Sequence, residues 1–222
     1  MKKVLITRKL LRPNEERMSK IWDAKLNSED KVYSQSELIE LSNDCDGILS
    51  ALSEKIDEDV ISKLPNKVKI ISNYAVGFGN IDIEAARKKN IVVTNTPDVL
   101  TAATAEIAML VLLGAARRAK EGIEWARKKN WKWTADFLMG KELTKARLGI
   151  LGMGRIGRAI AARARSFEMK IHYHNRSRLN PDLEKDATYH KTFESLFSVS
   201  DFLSINCPVT KETKHIINKK TL

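Results

Sequence analysis

Apolar positions in this chain gather into short blocks separated by stretches of helical spacing. Val4–Thr7, Gly47–Ala51, Val68–Ser72 and Ile91–Thr94 are strand-length apolar runs, and Asn14–Lys25, Asp57–Lys63 and Ile83–Lys89 carry the helical period between them. Strands alternating with helices predict a parallel sheet covered on both faces. Pro97 and Asp98 then punctuate the chain. From Thr101 to about Lys129 one long helical pattern follows, apolar on nearly every side in its first half, which predicts burial between domains or subunits. Gly114 lowers its helix propensity and suits close packing, and Trp125, Trp131, Trp133 and Phe137 crowd its exit, as core or as a subunit contact.

A second alternation starts near Arg147. Its strands are Leu148–Leu151, Met169–His174, a weak one at Thr188–His190, and Asp201–Asn206, with a helix over Arg155–Phe167. The pattern predicts two doubly wound α/β domains, residues 1–98 and 99–222. A full dinucleotide-binding sheet has about six strands. The second alternation supplies four, so its sheet is expected to be cut instead of finished, with an unpaired edge that favours aggregation.

Between the first two of these strands lies Gly152-Met153-Gly154-Arg155-Ile156-Gly157, which is G-x-G-x-x-G in strand–turn–helix context. Gly152 suits the tight turn, Gly154 a close approach of backbone to a pyrophosphate, and Gly157 close packing of helix on sheet. The helix N-terminus adds N–H groups and a partial positive charge. The plainer alternative is a tight turn with no ligand. A cofactor with a free ribose 2′-hydroxyl meets an Asp or Glu roughly 20 residues past the glycines. Here the slot holds Asn175, Arg176, Ser177 and Arg178, two guanidiniums and no carboxylate. Arg pairs with phosphate in a fork, so NADP(H) is expected over NAD(H). Otherwise the arginines belong to a solvated loop.

Composition narrows the picture further. With 43% hydrophobic and 30% charged residues over 222 positions the chain is globular in type. It has no apolar run of spanning length, and MKKVLITRKL reads as a first strand in preference to a signal peptide. Cys45 and Cys207 lie far apart and offer neither a disulfide framework nor metal-ligand spacing, which suits a cytoplasmic protein. The net charge of +11 comes from scattered lysines without interleaved aromatics, so a nucleic-acid partner is not expected. A positive field favours anionic cofactors and carboxylate substrates.

Four segments in order carry a specific likeness: 73–118 (NYAVGFGNIDIEAARKKNIVVTNTPDVLTAATAEIAMLVLLGAARR), 148–164 (LGILGMGRIGRAIAARA), 173–178 (YHNRSR) and 200–222 (SDFLSINCPVTKETKHIINKKTL). Together they resemble the D-isomer-specific 2-hydroxyacid dehydrogenases, in particular the glyoxylate/hydroxypyruvate reductase branch. The resemblance implies a flavodoxin-like substrate domain followed by a Rossmann domain, a homodimer, and NADPH-dependent reduction of a small 2-keto acid such as glyoxylate or hydroxypyruvate. It implies that the backbone of Val76 and Gly77 holds the substrate carboxylate. It places Thr104, Arg155, Ile156, Cys207, Pro208 and Thr213 beside the cofactor. On the residues alone, Gly77-Phe78-Gly79 is equally a plain turn. Thr104 is equally a helix N-cap, with Asp98 and Thr101 as rivals, and Cys207 a packed thiol.

The chemistry also needs a proton donor and a cation at the keto group. The resemblance places an Arg, a Glu and a Glu-paired His after residue 222. His172 and His174 fall in or beside a strand and His215 in a short polar helix, and with His190 all are expected to be structural. The chain is therefore expected to lack catalytic residues and to be part of a longer enzyme. The alternative is a non-catalytic NADP(H)-binding or regulatory protein that ends here.

Overall fold

The computed structural model describes residues 1–128, 133–210, 212–219 and 221. Lys129 and Trp131, and the chain end at Lys220 and Leu222, lie outside the described residues. The chain divides into two compact units, Met1–Val99 and Leu100–Leu222.

In the first unit, chain order runs β1 (Lys3–Ile6), α1 (Arg12–Ile21), β2 (Asp23–Lys25), α2 (Gln35–Leu41), β3 (Gly47–Ser50), α3 (Glu58–Lys63), β4 (Ile70–Asn73), α4 (Ile83–Lys88) and β5 (Val92–Thr94). The sheet is all parallel, in the order β2-β1-β3-β4-β5, which is the flavodoxin-like arrangement. Leu5, Ile48 and Ile71 from three adjacent strands are buried with Val60, Ile61, Ala85 and Ala86 from α3 and α4. Asp57 and Asp82 start those two helices by accepting the N–H groups of Val60 and Ala85.

Two elements here differ from expectation. The helix expected over Asn14–Lys25 stops at Ile21, and Asp23–Lys25 form the edge strand β2. The Asp23 N–H donates to the Lys2 carbonyl at 3.0 Å, so pairing with β1 overrides the local pattern. Helix α2 was not expected at all. Its start is a capping box: the Ser34 hydroxyl accepts the Glu37 N–H, and the Glu37 carboxylate accepts the Ser34 N–H at 2.9 Å.

The second unit contains α5 (Thr101–Ala116), α6 (Ala119–Ala126), β6 (Arg147–Leu151), α7 (Arg155–Arg165), β7 (Lys170–His174), α8 (Pro181–Glu184), β8 (Thr188–Tyr189), α9 (Phe193–Phe197) and β9 (Phe202–Ile205). Its parallel sheet has the order β8-β7-β6-β9, the 3-2-1-4 part of a Rossmann sheet. Leu148, Ile150, Ile171 and Tyr173 of β6 and β7 bury against Ile160, Ala161 and Ala164 of α7 and Ala105 and Met109 of α5.

The single helix expected from Thr101 to Lys129 is two. Arg118 adopts a left-handed conformation (φ 51°) between α5 and α6. The Ala116 carbonyl accepts from the Lys141 N–H at 2.9 Å, so the returning chain takes a bond that a continuing helix would make. Burial on all sides of α5 is also not observed within this chain: Ile107, Leu110 and Val111 are 60–64% exposed. Trp125 packs its ring on Phe137 with centroids 5.3 Å apart, while Trp133 is exposed. His215 sits in a turn with φ 58°, not in a helix. Among the described residues no helix is long and apolar enough to cross a membrane.

Candidate functional site

In the second unit the strand order turns at β6, whose neighbours β7 and β9 lie on opposite sides. Ligands of open α/β sheets bind outside the carboxyl ends of strands at such a point. The glycine turn leaves β6 there. Gly152 has φ +94°, and a Cβ on it would lie 2.6 Å from the Cys207 nitrogen and 2.8 Å from the Asn206 carbonyl carbon. The turn is thus packed onto the segment leaving β9, which brings Cys207 and Pro208 beside it. A Cβ on Gly157 would collide with the Gly152 carbonyl oxygen, so the first turn of α7 is pressed against the glycine turn. Gly154 differs from both: a Cβ there would meet nothing within 4 Å. Packing does not require a glycine at 154, and the space above it is open.

Helix α7 starts at Arg155 with no side-chain cap and no acidic residue in its first turn. Helix starts of this kind leave N–H groups and a partial positive charge for an anion. Arg155 and Ile156 stand in that first turn. An open Gly154 beside an uncapped helix start therefore fits a dinucleotide pyrophosphate.

The segment after β7 is held at several points. The Asn175 Oδ1 accepts the Met153 N–H at 2.7 Å, which ties it to the glycine turn. The Asn175 carbonyl accepts from the Tyr189 hydroxyl at 3.3 Å, and the Tyr173 hydroxyl accepts from the Leu179 N–H at 3.0 Å. Arg178 forks onto Glu184 (3.0 and 3.1 Å), a buried carboxylate that also accepts from the Tyr173 hydroxyl at 2.9 Å. Of the two guanidiniums, Arg178 is thus engaged by Glu184 through Nε and one terminal nitrogen, and the Asn175 oxygen is engaged by the glycine turn. Arg176 and Ser177 are the exposed residues between these anchors. The Glu212 carboxyl lies below its ordinary range, first because the Thr210 hydroxyl donates to it at 2.6 Å and then because its own backbone N–H does, with the charge of Arg176 a smaller contribution.

Thr213 donates to the Pro208 carbonyl at 2.6 Å and accepts the Thr210 N–H at 2.7 Å, which closes the 208–213 turn. Cys207 packs beside Leu151, Phe193 and Leu196, and burial pushes its thiol up, so it is not a ready thiolate. Thr104 lies in the first turn of α5 and is exposed. Leu100, not Thr104, Asp98 or Thr101, occupies the N-cap position.

In the first unit, Val76 and Gly77 follow β4 in a loop in which three successive carbonyls are held from behind. Ala75 O accepts the Thr96 N–H at 2.9 Å, Val76 O the Asn95 Nδ2 at 2.8 Å, and Gly77 O the Asn73 Nδ2 at 2.8 Å. Among the described residues all peptide bonds are trans. In a planar trans peptide the N–H points opposite to its own C=O. The N–H groups of Val76, Gly77 and Phe78 are therefore turned away from these donors, and among the described residues none has a protein acceptor. Such a run suits a carboxylate. Asn73 and Asn95 carry this arrangement. Nothing in the local sequence marks them, because their partners are backbone carbonyls fixed by the tertiary fold.

Three of the four histidines are accounted for at the β7–β8 edge of the sheet. His172 Nδ1 and His190 Nε2 share a hydrogen bond of 2.9 Å, and His174 Nδ1 donates to the His190 carbonyl at 2.8 Å. Among the described residues no group of three His, Cys, Asp or Glu is placed to hold a metal ion.

Comparison with known proteins agrees with this geometry. Residues 109–222 match the family model described as D-isomer specific 2-hydroxyacid dehydrogenase, NAD binding domain. The chain is 41% identical to a glycerate dehydrogenase of Hyphomicrobium methylovorum, over all of this chain and 70% of the relative. It is 40% identical to a glyoxylate reductase of Thermococcus litoralis, over 99% of this chain and 68% of the relative. A crystal structure of a glyoxylate reductase from Paecilomyes thermophila superposes with a TM-score of 0.85 at 33% identity, over 99% of this chain and 69% of that one.

Proposed function

The chain belongs to the D-isomer specific 2-hydroxyacid dehydrogenases, which makes it an NAD(P)-dependent enzyme of 2-keto and 2-hydroxy acids, and from that premise we propose that it serves the NADPH-dependent reduction of glyoxylate or hydroxypyruvate. The observation that carries the cofactor preference is the segment after β7. Asn175 is held by the glycine turn and Arg178 by Glu184, which leaves Arg176 and Ser177 exposed where an NAD-type site has a ribose-binding carboxylate. Arg176 would pair with the 2′-phosphate, and Ser177 would donate to it.

In this reading residues 1–98 are the substrate domain and 99–222 the cofactor domain. The backbone N–H groups of Val76 and Gly77 take the substrate carboxylate. Gly152, Gly154 and Gly157 shape the pyrophosphate turn, and Arg155 and Ile156 approach the phosphates at the start of α7. Thr104, Cys207, Pro208 and Thr213 line the nicotinamide end. The bound nicotinamide supplies the hydride. The residues of this chain bind and orient, because each of His172, His174 and His190 is engaged in the sheet. A second copy would cover Ile107, Leu110 and Val111 on α5 and form a homodimer.

Fluorescence titration with NADPH and NADH tests the preference. Wild-type protein should bind NADPH at least tenfold more tightly, and Arg176→Ala should weaken NADPH selectively. Equal or tighter NADH binding in the wild type contradicts the proposal. NADPH oxidation by the full-length protein with glyoxylate, hydroxypyruvate and pyruvate tests the substrate.

A further inference from the structure

All but one of the buried polar side chains of the first unit are concentrated; the exception is Ser42 at the end of α2. Thr7, Asn27, Ser50, Glu54 and Asn73 are all at most 4% exposed, and each lies at or just past the carboxyl end of β1, β2, β3 or β4. Buried polar groups stabilise a fold only where they are paired, and the pairs here lead to one loop. The Glu54 carboxylate accepts from the Thr7 hydroxyl and the Ala51 N–H, both at 2.7 Å, and from the Ser53 hydroxyl at 2.6 Å. That fixes the 51–54 turn. Its carbonyls Ala51 O and Glu54 O both accept from Asn80 Nδ2, at 2.9 and 3.0 Å. Asn80 Oδ1 accepts from Asn73 Nδ2 at 3.1 Å, Asn73 Oδ1 accepts from the Ser50 hydroxyl at 3.0 Å, and Asn73 Nδ2 also donates to Gly77 O at 2.8 Å. Both hydrogens of each carboxamide nitrogen are used, and each oxygen accepts. Turning either amide over would set oxygen against carbonyl oxygen, so the orientation is unique.

We propose that the Asn73–Asn80 carboxamide pair is the positioning device of the substrate-carboxylate loop: it holds the Gly77 carbonyl inward and so presents the Phe78 N–H, with those of Val76 and Gly77, to the anion. The inference rests on the reading that this loop takes the substrate carboxylate. Neither asparagine touches substrate. Without Asn73 the 77–78 peptide is free to rotate, and its N–H no longer stays on the binding side. Glu54 fixes the turn on which Asn80 hangs, and Thr7 and Ser53 complete its pairing.

The test uses the full-length protein with two probes, glyoxylate in turnover and oxalate in binding. Asn73→Ala should raise the KM for glyoxylate about tenfold, with kcat within about twofold and NADPH affinity unchanged, as loss of ground-state binding requires. In nitrogen-15 spectra, oxalate should shift the Gly77 and Phe78 amides of the wild type, and Asn73→Ala should bind oxalate about tenfold more weakly. If the wild-type amides of 76–78 do not move, the loop is not the carboxylate site and both readings fall. If they move and Asn73→Ala binds oxalate and glyoxylate as well as the wild type, the positioning role alone is overturned. Asn80→Ser removes the same support from its other side and should reproduce the effect. Should neither variant fold, the Asn73 side-chain amide hydrogens of the wild type decide. Slow exchange with and without oxalate supports the clip, and exchange as fast as an exposed asparagine refutes it.

Discussion

Gly152 and Gly154 stand two residues apart in the same turn, and replacing each by alanine should have opposite consequences. At Gly152 an added Cβ meets backbone on the β9 side at 2.6 to 3.0 Å, and the residue has φ +94°. A left-handed conformation costs an L residue about 1–2 kcal/mol. Overlap with atoms that cannot rotate away adds about 1–3 kcal/mol. Gly152→Ala should therefore destabilise the second unit by about 2–5 kcal/mol. At Gly154 the backbone has φ −73° and the Cβ meets nothing within 4 Å. Stiffening the unfolded chain stabilises by about 0.4–1 kcal/mol. Alanine is the poorer N-cap by up to about 1 kcal/mol, so the two effects nearly cancel. Gly154→Ala should fold with stability within about 1 kcal/mol of the wild type. Its Cβ would stand where the pyrophosphate approaches, so NADPH affinity should fall at least tenfold. Urea denaturation gives the first quantity and fluorescence titration the second. If Gly154→Ala binds NADPH normally, or loses as much stability as Gly152→Ala, the assignment of the open space to the cofactor is refuted.

Two further outcomes test the scaffold. The Lys89 ammonium donates to the carbonyls of Ile61 and Ser62, each at 2.8 Å, and to that of Leu64, so it closes the C-terminal end of α3; Lys89→Met should lower the urea stability of the first unit by about 1–2 kcal/mol, and an unchanged midpoint would show that water replaces it without loss. Burial, reinforced by His190 and then by Arg147 and Lys170 against Asp201, holds the His172 imidazole below its ordinary value of 6.5, and burial does the same to His190. A depressed folded-state value means that the unfolded chain binds the proton first, so this stability is full above pH 6.5 and is lost as pH falls below it; melting temperatures of wild type and His172→Asn should diverge between pH 7.5 and 5, and parallel curves would exclude the pair as the cause.

What the sequence discloses is what is local. The β6–α7–β7 unit is legible because glycine spacing, apolar runs and helix period all fall within 148–174. Helix α2 carries a local signal too, the S-x-x-E spacing of Ser34 and Glu37, although no long apolar stripe follows it. The edge strand Asp23-Ala24-Lys25 has no pattern of its own and exists through pairing with β1. The break between α5 and α6 depends on Lys141, some 25 residues further on, reaching the Ala116 carbonyl. At the candidate site the same division holds. Asn175 is at the expected place, but its role is set by the Met153 N–H, and Arg178 is withdrawn by Glu184. Residue type and spacing identify a cofactor segment, and only the folded partners say which of its side chains remain to bind.

The two units treat the same topological feature in opposite ways. In the first sheet the order turns at β1, between β2 and β3, where an open α/β sheet would bind a ligand. That place is filled from within: the Glu54 carboxylate joins Thr7, which follows β1, to Ala51, which follows β3. In the second sheet the corresponding place, between β6 and β9, is lined by Gly152 against Cys207 and left open above Gly154. A carboxylate at the first turning point serves as an anchor, and the N–H groups of Val76, Gly77 and Phe78, which have no protein acceptor, stand one strand further on, after β4. A glycine at the second lets a phosphate meet a helix start directly. On the proposed function, one parallel-sheet rule would thus yield a scaffold for a carboxylate loop in one unit and a dinucleotide cradle in the other, and the difference rests on whether a side chain or a hydrogen atom occupies the turning point.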